Sequence, residues 1–243
     1  MKTFVVAAAL AFAASLSAQV HKQDVDIKAP DGISLKGTFF STAQPGPAML
    51  LLHQCDMDRH AWDGFANDLA KNGFNVLTVD FRGYGQSGGE KGTTGPERAA
   101  AMGKWTDDVE AVYAFLTAQK SVDLVRIGAG GASCGVVQAT DLAARHHEIH
   151  ALVLLSGLAS DDGKENIADN SSLPVFGAAS EGDKGAAQGI MEAVNASGDS
   201  NSLLKIYPGK EHGVPMFAAN PELEPMIVDW LKAQLPAASA ASQ

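Results

Sequence analysis

Residues 124–135 read LVRIGAGGASCG, and this stretch decides the fold. Leu124 to Ala129 reads as a short buried strand. Gly131-Ala132-Ser133-Cys134-Gly135 then spells G-x-S-x-G, and Gly135 to His146 carries apolar residues at helical spacing. A strand, a sharp turn with a serine at its apex and a helix form the context in which this pentapeptide acts as a nucleophile elbow. The turn lifts the Ser133 hydroxyl above the carboxyl edge of a sheet. The following helix aims its free N–H groups at the same point. Two other readings compete: a capping serine in a glycine-rich turn, and a dinucleotide fingerprint over Gly128 to Ser133. The second lacks the final small residue of G-x-G-x-x-G/A.

Outward from the elbow the pattern repeats. Towards the N-terminus, Val25–Ile27 and Ile33–Phe40 flank Pro30-Asp31-Gly32 as a hairpin. Ala48–Leu52 and Phe74–Val79 read as buried strands around a helix at Ala61–Asn72, and Glu97–Ala118 as one long helix opened by Pro96. Towards the C-terminus, strands are expected at His150–Leu155, Leu173–Ala178 and Leu203–Tyr207, with helices at Ala186–Asn195 and Pro221–Leu235. Alternation of strand and helix predicts an α/β chain with a mostly parallel sheet covered on both faces. The connection Gly157–Ser172 is polar and too short for a helical cap, so an open site without a cap domain is expected.

The ends read differently. Residues 1–18, MKTFVVAAALAFAASLSA, have the charged start, short apolar core and small-residue end of a signal peptide. The expected organisation is a leader over 1–18, one domain over 19–235 and a loose tail over 236–243. Export, to the periplasm or beyond, follows from the leader. The 243 residues are 46% hydrophobic and 19% charged, which suits a folded core rather than wholesale disorder. A formal charge of −10 argues against nucleic acid and anionic lipid as partners, and no membrane association is expected once the leader is removed. Two cysteines exclude a four-cysteine zinc site.

A serine hydroxyl needs a base, and the base needs an orienting acid. On a sheet of this type the chain order is serine, acid, histidine. Ser180-Glu181-Gly182-Asp183 follows one strand and Glu211-His212-Gly213 the next. Asp183 is expected as the acid and His212 as the base. Glu181, two residues from Asp183, competes with it, as do Asp161 and Asp162. His53 at a strand end reads as structural. The spelling HHEIH over His146, His147 and His150 invites a metal, but no distant ligand cluster completes it. No metal and no cofactor are called for.

These residues resemble the α/β-hydrolase superfamily, in particular its small dienelactone-hydrolase-like branch. Leu51-Leu52-His53-Gln54 is similar to the strand-end segment that opens the oxyanion loop, and Asp80 to Ser87 matches D-x-R-G-x-G-x-S. Gln54 replaces the usual glycine, Val136 stands where a second glycine often follows the elbow, and Ser133 stands where dienelactone hydrolases carry cysteine. The resemblance implies a serine hydrolase acting on carboxylic ester or thioester bonds of a small molecule through Ser133, Asp183 and His212. A hydrolase-fold binding module without activity is the alternative. The resemblance further implies that the backbone N–H groups of Cys55 and Cys134 form the oxyanion hole. Donors that converge on one atom bring their α-carbons close, which would allow a Cys55–Cys134 disulfide. Oligomeric state is left open by the sequence.

Overall fold

The computed structural model describes residues 19–236. The leader expected at 1–18 and nearly all of the tail expected at 236–243 lie outside the described residues. The chain forms an α/β fold around one eight-stranded sheet of order β1-β2-β4-β3-β5-β6-β7-β8. The strands are β1 (His21–Lys28), β2 (Ser34–Ser41), β3 (Gly46–Leu52), β4 (Asn75–Val79), β5 (Val122–Ala132), β6 (Ile149–Leu155), β7 (Val175–Ser180) and β8 (Leu203–Tyr207). β1 and β2 form the expected antiparallel hairpin, and β2 also runs antiparallel to β4. Every other pairing is parallel. Gly32, at φ +87°, closes the hairpin turn by donating its N–H to Ala29 O at 2.9 Å. A side chain strains this backbone region, so glycine fits it.

The helices are α1 (Asp63–Lys71), α2 (Gly95–Met102), α3 (Trp105–Thr117), α4 (Cys134–Arg145), α5 (Asp161–Asp169), α6 (Lys184–Ala196), α7 (Met216–Ala219) and α8 (Leu223–Gln234). Strand residues alternate between two cores. Ala48, Leu50 and Leu52 of β3 pack with α3, α4 and α6, whereas Met49 and Leu51 pack with α1 and α8. All seven residues of β3 are buried, which explains its uninterrupted apolar spelling. No helix among the described residues is long and apolar enough to cross a membrane.

One expectation needs correction. The single helix expected over Glu97–Ala118 is two helices, α2 and α3, parted at Gly103-Lys104. α2 buries none of its side chains and is held by a Thr94–Glu97 capping box, whereas α3 buries Trp105, Val109, Val112 and Leu116. One straight helix cannot serve both environments, and the chain turns at glycine. The polar connection 157–172 contains α5, capped by Ser160, whose Oγ accepts the Gly163 N–H at 2.9 Å. α5 packs back on α4: Gly163 lies against Thr140, and Asn166 Nδ2 donates to Ala143 O at 3.2 Å. It therefore leaves the expected open, uncapped arrangement in place.

β3 connects to β4 on one side, and β5 pairs with β3 on the other. The sequential order reverses at β3, and the crevice at the carboxyl ends of β3 and β5 is where open α/β sheets bind ligands.

Candidate active site

Ser133 links β5 to α4 at φ +53° and ψ −118°. A non-glycine residue there costs about 1–3 kcal/mol and is typical of a constrained functional turn. The flanking glycines let the turn close. A Cβ on Gly131 would overlap the Gly135 carbonyl, and a Cβ on Gly135 would overlap Leu52 O and crowd His53 O at 2.9 Å. The Ser133 N–H donates to Leu155 O at 2.9 Å, which fastens the apex to β6.

Cys134 is the first residue of α4, where a backbone N–H has no intrahelical acceptor. Cys55 lies on the turn after β3 that is closed by Met57 N–H donating to Gln54 O at 3.1 Å. A Cys55–Cys134 disulfide joins them, with α-carbons 5.9 Å apart. The bond thus spans the crevice between the ends of β3 and β5.

The loops after β7 and β8 bring the acid and the histidine together. His212 Nδ1 lies 2.5 Å from Asp183 Oδ2. Asp183 is the N-terminal flanking residue of α6, and its N–H donates to Ser180 O at 3.0 Å. The Ser180 hydroxyl donates to Glu211 O at 2.7 Å, pinning the two loops to each other. Glu181 is exposed and makes no side-chain hydrogen bond among the described residues. Asp161 and Asp162 lie in the first turn of α5 and are exposed. Geometry therefore brings Asp183, and neither competitor, to His212.

Ser133, Asp183 and His212 line one cleft of about 350 Å³. Val137, Leu158 and Ala186 give it an apolar wall. Among the described residues no hydrogen bond joins the Ser133 hydroxyl to His212. Apo sites often hold this contact long and tighten it on substrate binding.

His53 is fully buried beneath the turn. Its Nδ1–H donates to Gln54 O at 2.7 Å, and its Nε2 accepts the Phe81 N–H at 3.0 Å. This pair of partners fixes the neutral ring with the proton on Nδ1. Burial lowers its pKa below the ordinary histidine value, opposed by the bond to Gln54 and the charge of Asp80. The D-x-R-G-x-G-x-S segment supports it from below. Asp80 accepts the N–H groups of Arg59 at 2.7 Å and Gln86 at 2.8 Å and pairs with the Arg59 guanidinium. A Cβ on Gly85 would overlap that carboxylate. His146 lies at the opposite end of α4 from Ser133, held between Glu110 at 2.8 Å and Glu148 at 3.0 Å.

Residues 47–184 match the family model described as the alpha/beta hydrolase fold, which is more than half of the chain. The chain belongs to the α/β-hydrolase family. Among its relatives is an uncharacterized 31.7 kDa protein of Escherichia coli, 31% identical over 139 residues. That match takes in 57% of this chain and 46% of the relative, so the chain spans about half the length of the curated relatives it matches. Among solved structures, the fold is similar to an esterase of Pyrococcus furiosus, with TM-score 0.66, 21% identity, and 88% and 93% of the two chains covered. A dienelactone hydrolase of Anabaena variabilis superimposes with TM-score 0.69 at 18% identity, covering 89% of this chain and 99% of that one. At such identities the likeness speaks for the fold.

The sequence noted Gln54 only as a departure from a glycine. In the α/β-hydrolase framework it reaches the histidine loop, accepting the Val214 N–H at 2.9 Å. The available signal was an amide, which needs partners, placed at a buried strand end where glycine needs none.

Proposed function

We propose that the protein is an exported serine hydrolase that cleaves carboxylic ester or thioester bonds of small soluble molecules. One observation carries the reading. A serine at a positive-φ elbow shares a cleft with a histidine whose other ring nitrogen is bonded to a carboxylate. This is the role geometry by which such sites are recognised on unrelated folds. Export is supported by the leader sequence, and a disulfide suits an oxidising compartment.

In this mechanism Asp183 holds His212 with its proton on Nδ1, leaving Nε2 free to accept the Ser133 hydroxyl proton. Ser133 Oγ attacks the ester carbonyl. The negative charge that develops on the carbonyl oxygen is met by the N–H groups of Cys55 and Cys134. One such donor contributes about 3–4 kcal/mol in the transition state. The imidazolium, stabilised by Asp183, passes its proton to the leaving alcohol or thiol. Water, deprotonated by the same nitrogen, then releases the acid and restores Ser133. The open cleft and its short apolar wall favour short acyl groups.

The test is labelling with a fluorophosphonate probe followed by peptide mass analysis, alongside hydrolysis of nitrophenyl esters of graded acyl length. Wild-type protein is expected to be modified on Ser133 and to prefer the shortest esters, while Ser133→Ala is inert in both assays. Absence of labelling in wild type, or equal labelling of Ser133→Ala, would remove the serine-hydrolase reading and favour a binding module.

A further inference from the structure

A glutamine amide taken out of water must find partners for one oxygen and two N–H groups, or it destabilises the fold. Gln54 is 2% exposed, and two of its three side-chain partners lie in a loop far away in sequence. Its Oε1 accepts the Val214 N–H at 2.9 Å. Its Nε2 donates to Asp56 Oδ1 at 2.9 Å and, more weakly, to the His212 carbonyl at 3.4 Å. The amide therefore grips the backbone on both sides of Gly213, immediately after the histidine. Gly213 is shaped for this contact. It sits at φ +67°, and a Cβ there would overlap Gln54 Oε1.

The main chain of the same residue organises the other half of the site. The Gln54 carbonyl accepts His53 Nδ1–H at 2.7 Å and the Met57 N–H at 3.1 Å, which shapes the turn that presents Cys55. One residue thus touches both the loop that carries His212 and the turn that carries a proposed oxyanion donor.

We infer that Gln54 is a positioning residue that couples the general base to the oxyanion turn, holding the His212 loop at a fixed reach from Ser133. The inference rests on the reading of His212 as base and goes beyond it by assigning what sets the base's position. A displacement of about 1 Å at a reacting group can cost on the order of 100-fold in rate. Gln54→Met keeps the length and the apolar stem but removes the three hydrogen bonds. Gln54→Glu combined with Asp56→Asn restores an acceptor for the Val214 N–H and a donor at position 56.

Two readouts separate this role from a general effect on folding. Amide exchange on the intact protein is expected to show the Val214 N–H exchanging about 100-fold faster in Gln54→Met, with β5 amides unchanged. With nitrophenyl acetate, kcat is expected to fall about 100-fold while KM stays within threefold, and the restoring pair is expected to recover at least tenfold of that loss. Unchanged Val214 exchange, or a kcat within threefold of wild type, would overturn the inference. If wild-type protein neither hydrolyses the ester nor takes the fluorophosphonate, the serine-hydrolase reading fails. The exchange measurement still decides whether Gln54 holds the His212 loop.

Discussion

Replacing Cys55 and Cys134 together by serine removes the covalent bond across the crevice and frees a loop of 79 residues in the unfolded chain. In the chain-entropy model, closing such a loop removes about 15 cal/mol/K from the unfolded ensemble, or about 4.5 kcal/mol at 25 °C. For a chain of this size each kcal/mol moves the midpoint by about 2–4 °C. The double variant is therefore expected to melt about 9–18 °C below wild type. Both sulfurs are only partly buried at the edge of the core, so lost packing adds little. Wild type held in a dithiol reductant should converge on the variant. Activity should fall as well, chiefly in kcat, because the bond fixes the spacing of the two proposed oxyanion donors. The assay is thermal unfolding with and without reductant, preceded by intact-mass measurement of unreduced protein. A midpoint shift below about 3 °C, or two alkylatable thiols in the unreduced protein, would refute the argument.

Asp183→Asn should lower kcat by about 10⁴ by favouring the wrong tautomer of His212, while Glu181→Gln stays within twofold; steady-state kinetics on one ester distinguishes them. Equal losses in the two variants would return the acid to the open choice made from the sequence. His53 is neutral when folded, and burial holds its pKa below the unfolded value of 6.5. Its contribution is complete above about pH 6.5 and is lost as pH falls through the lowered folded value, because the unfolded state takes up the proton first. Protonation would also place a hydrogen on Nε2 against the Phe81 N–H. An NMR titration of the ring should give a folded midpoint below 6.5, and a ring mostly charged at pH 6.5 would contradict this account.

Much of the molecule was legible because local chemistry has local signatures. The apolar run at Ala48–Leu52 spells a strand buried on both faces, and each of its residues is buried. Gly131 and Gly135 were legible as an elbow because the turn tolerates no side chain at either place. The break at Gly103-Lys104 was not legible. Periodicity alone cannot report that α2 lies exposed while α3 is buried. α5 was hidden by its polarity, since Gly163 and Ile167 alone turn inward.

The sequence by itself determined the order of the strands, the serine turn and a short list of partners for it, because each depends on residues within a few positions of one another. The tertiary structure decided which carboxylate meets His212, that Cys55 faces Cys134, and that Gln54 reaches Val214. The two ends of this last bond are 160 residues apart. Such contacts are set by the register of parallel strands and by which loops share the sheet's carboxyl edge. No local pattern of residue types carries that information.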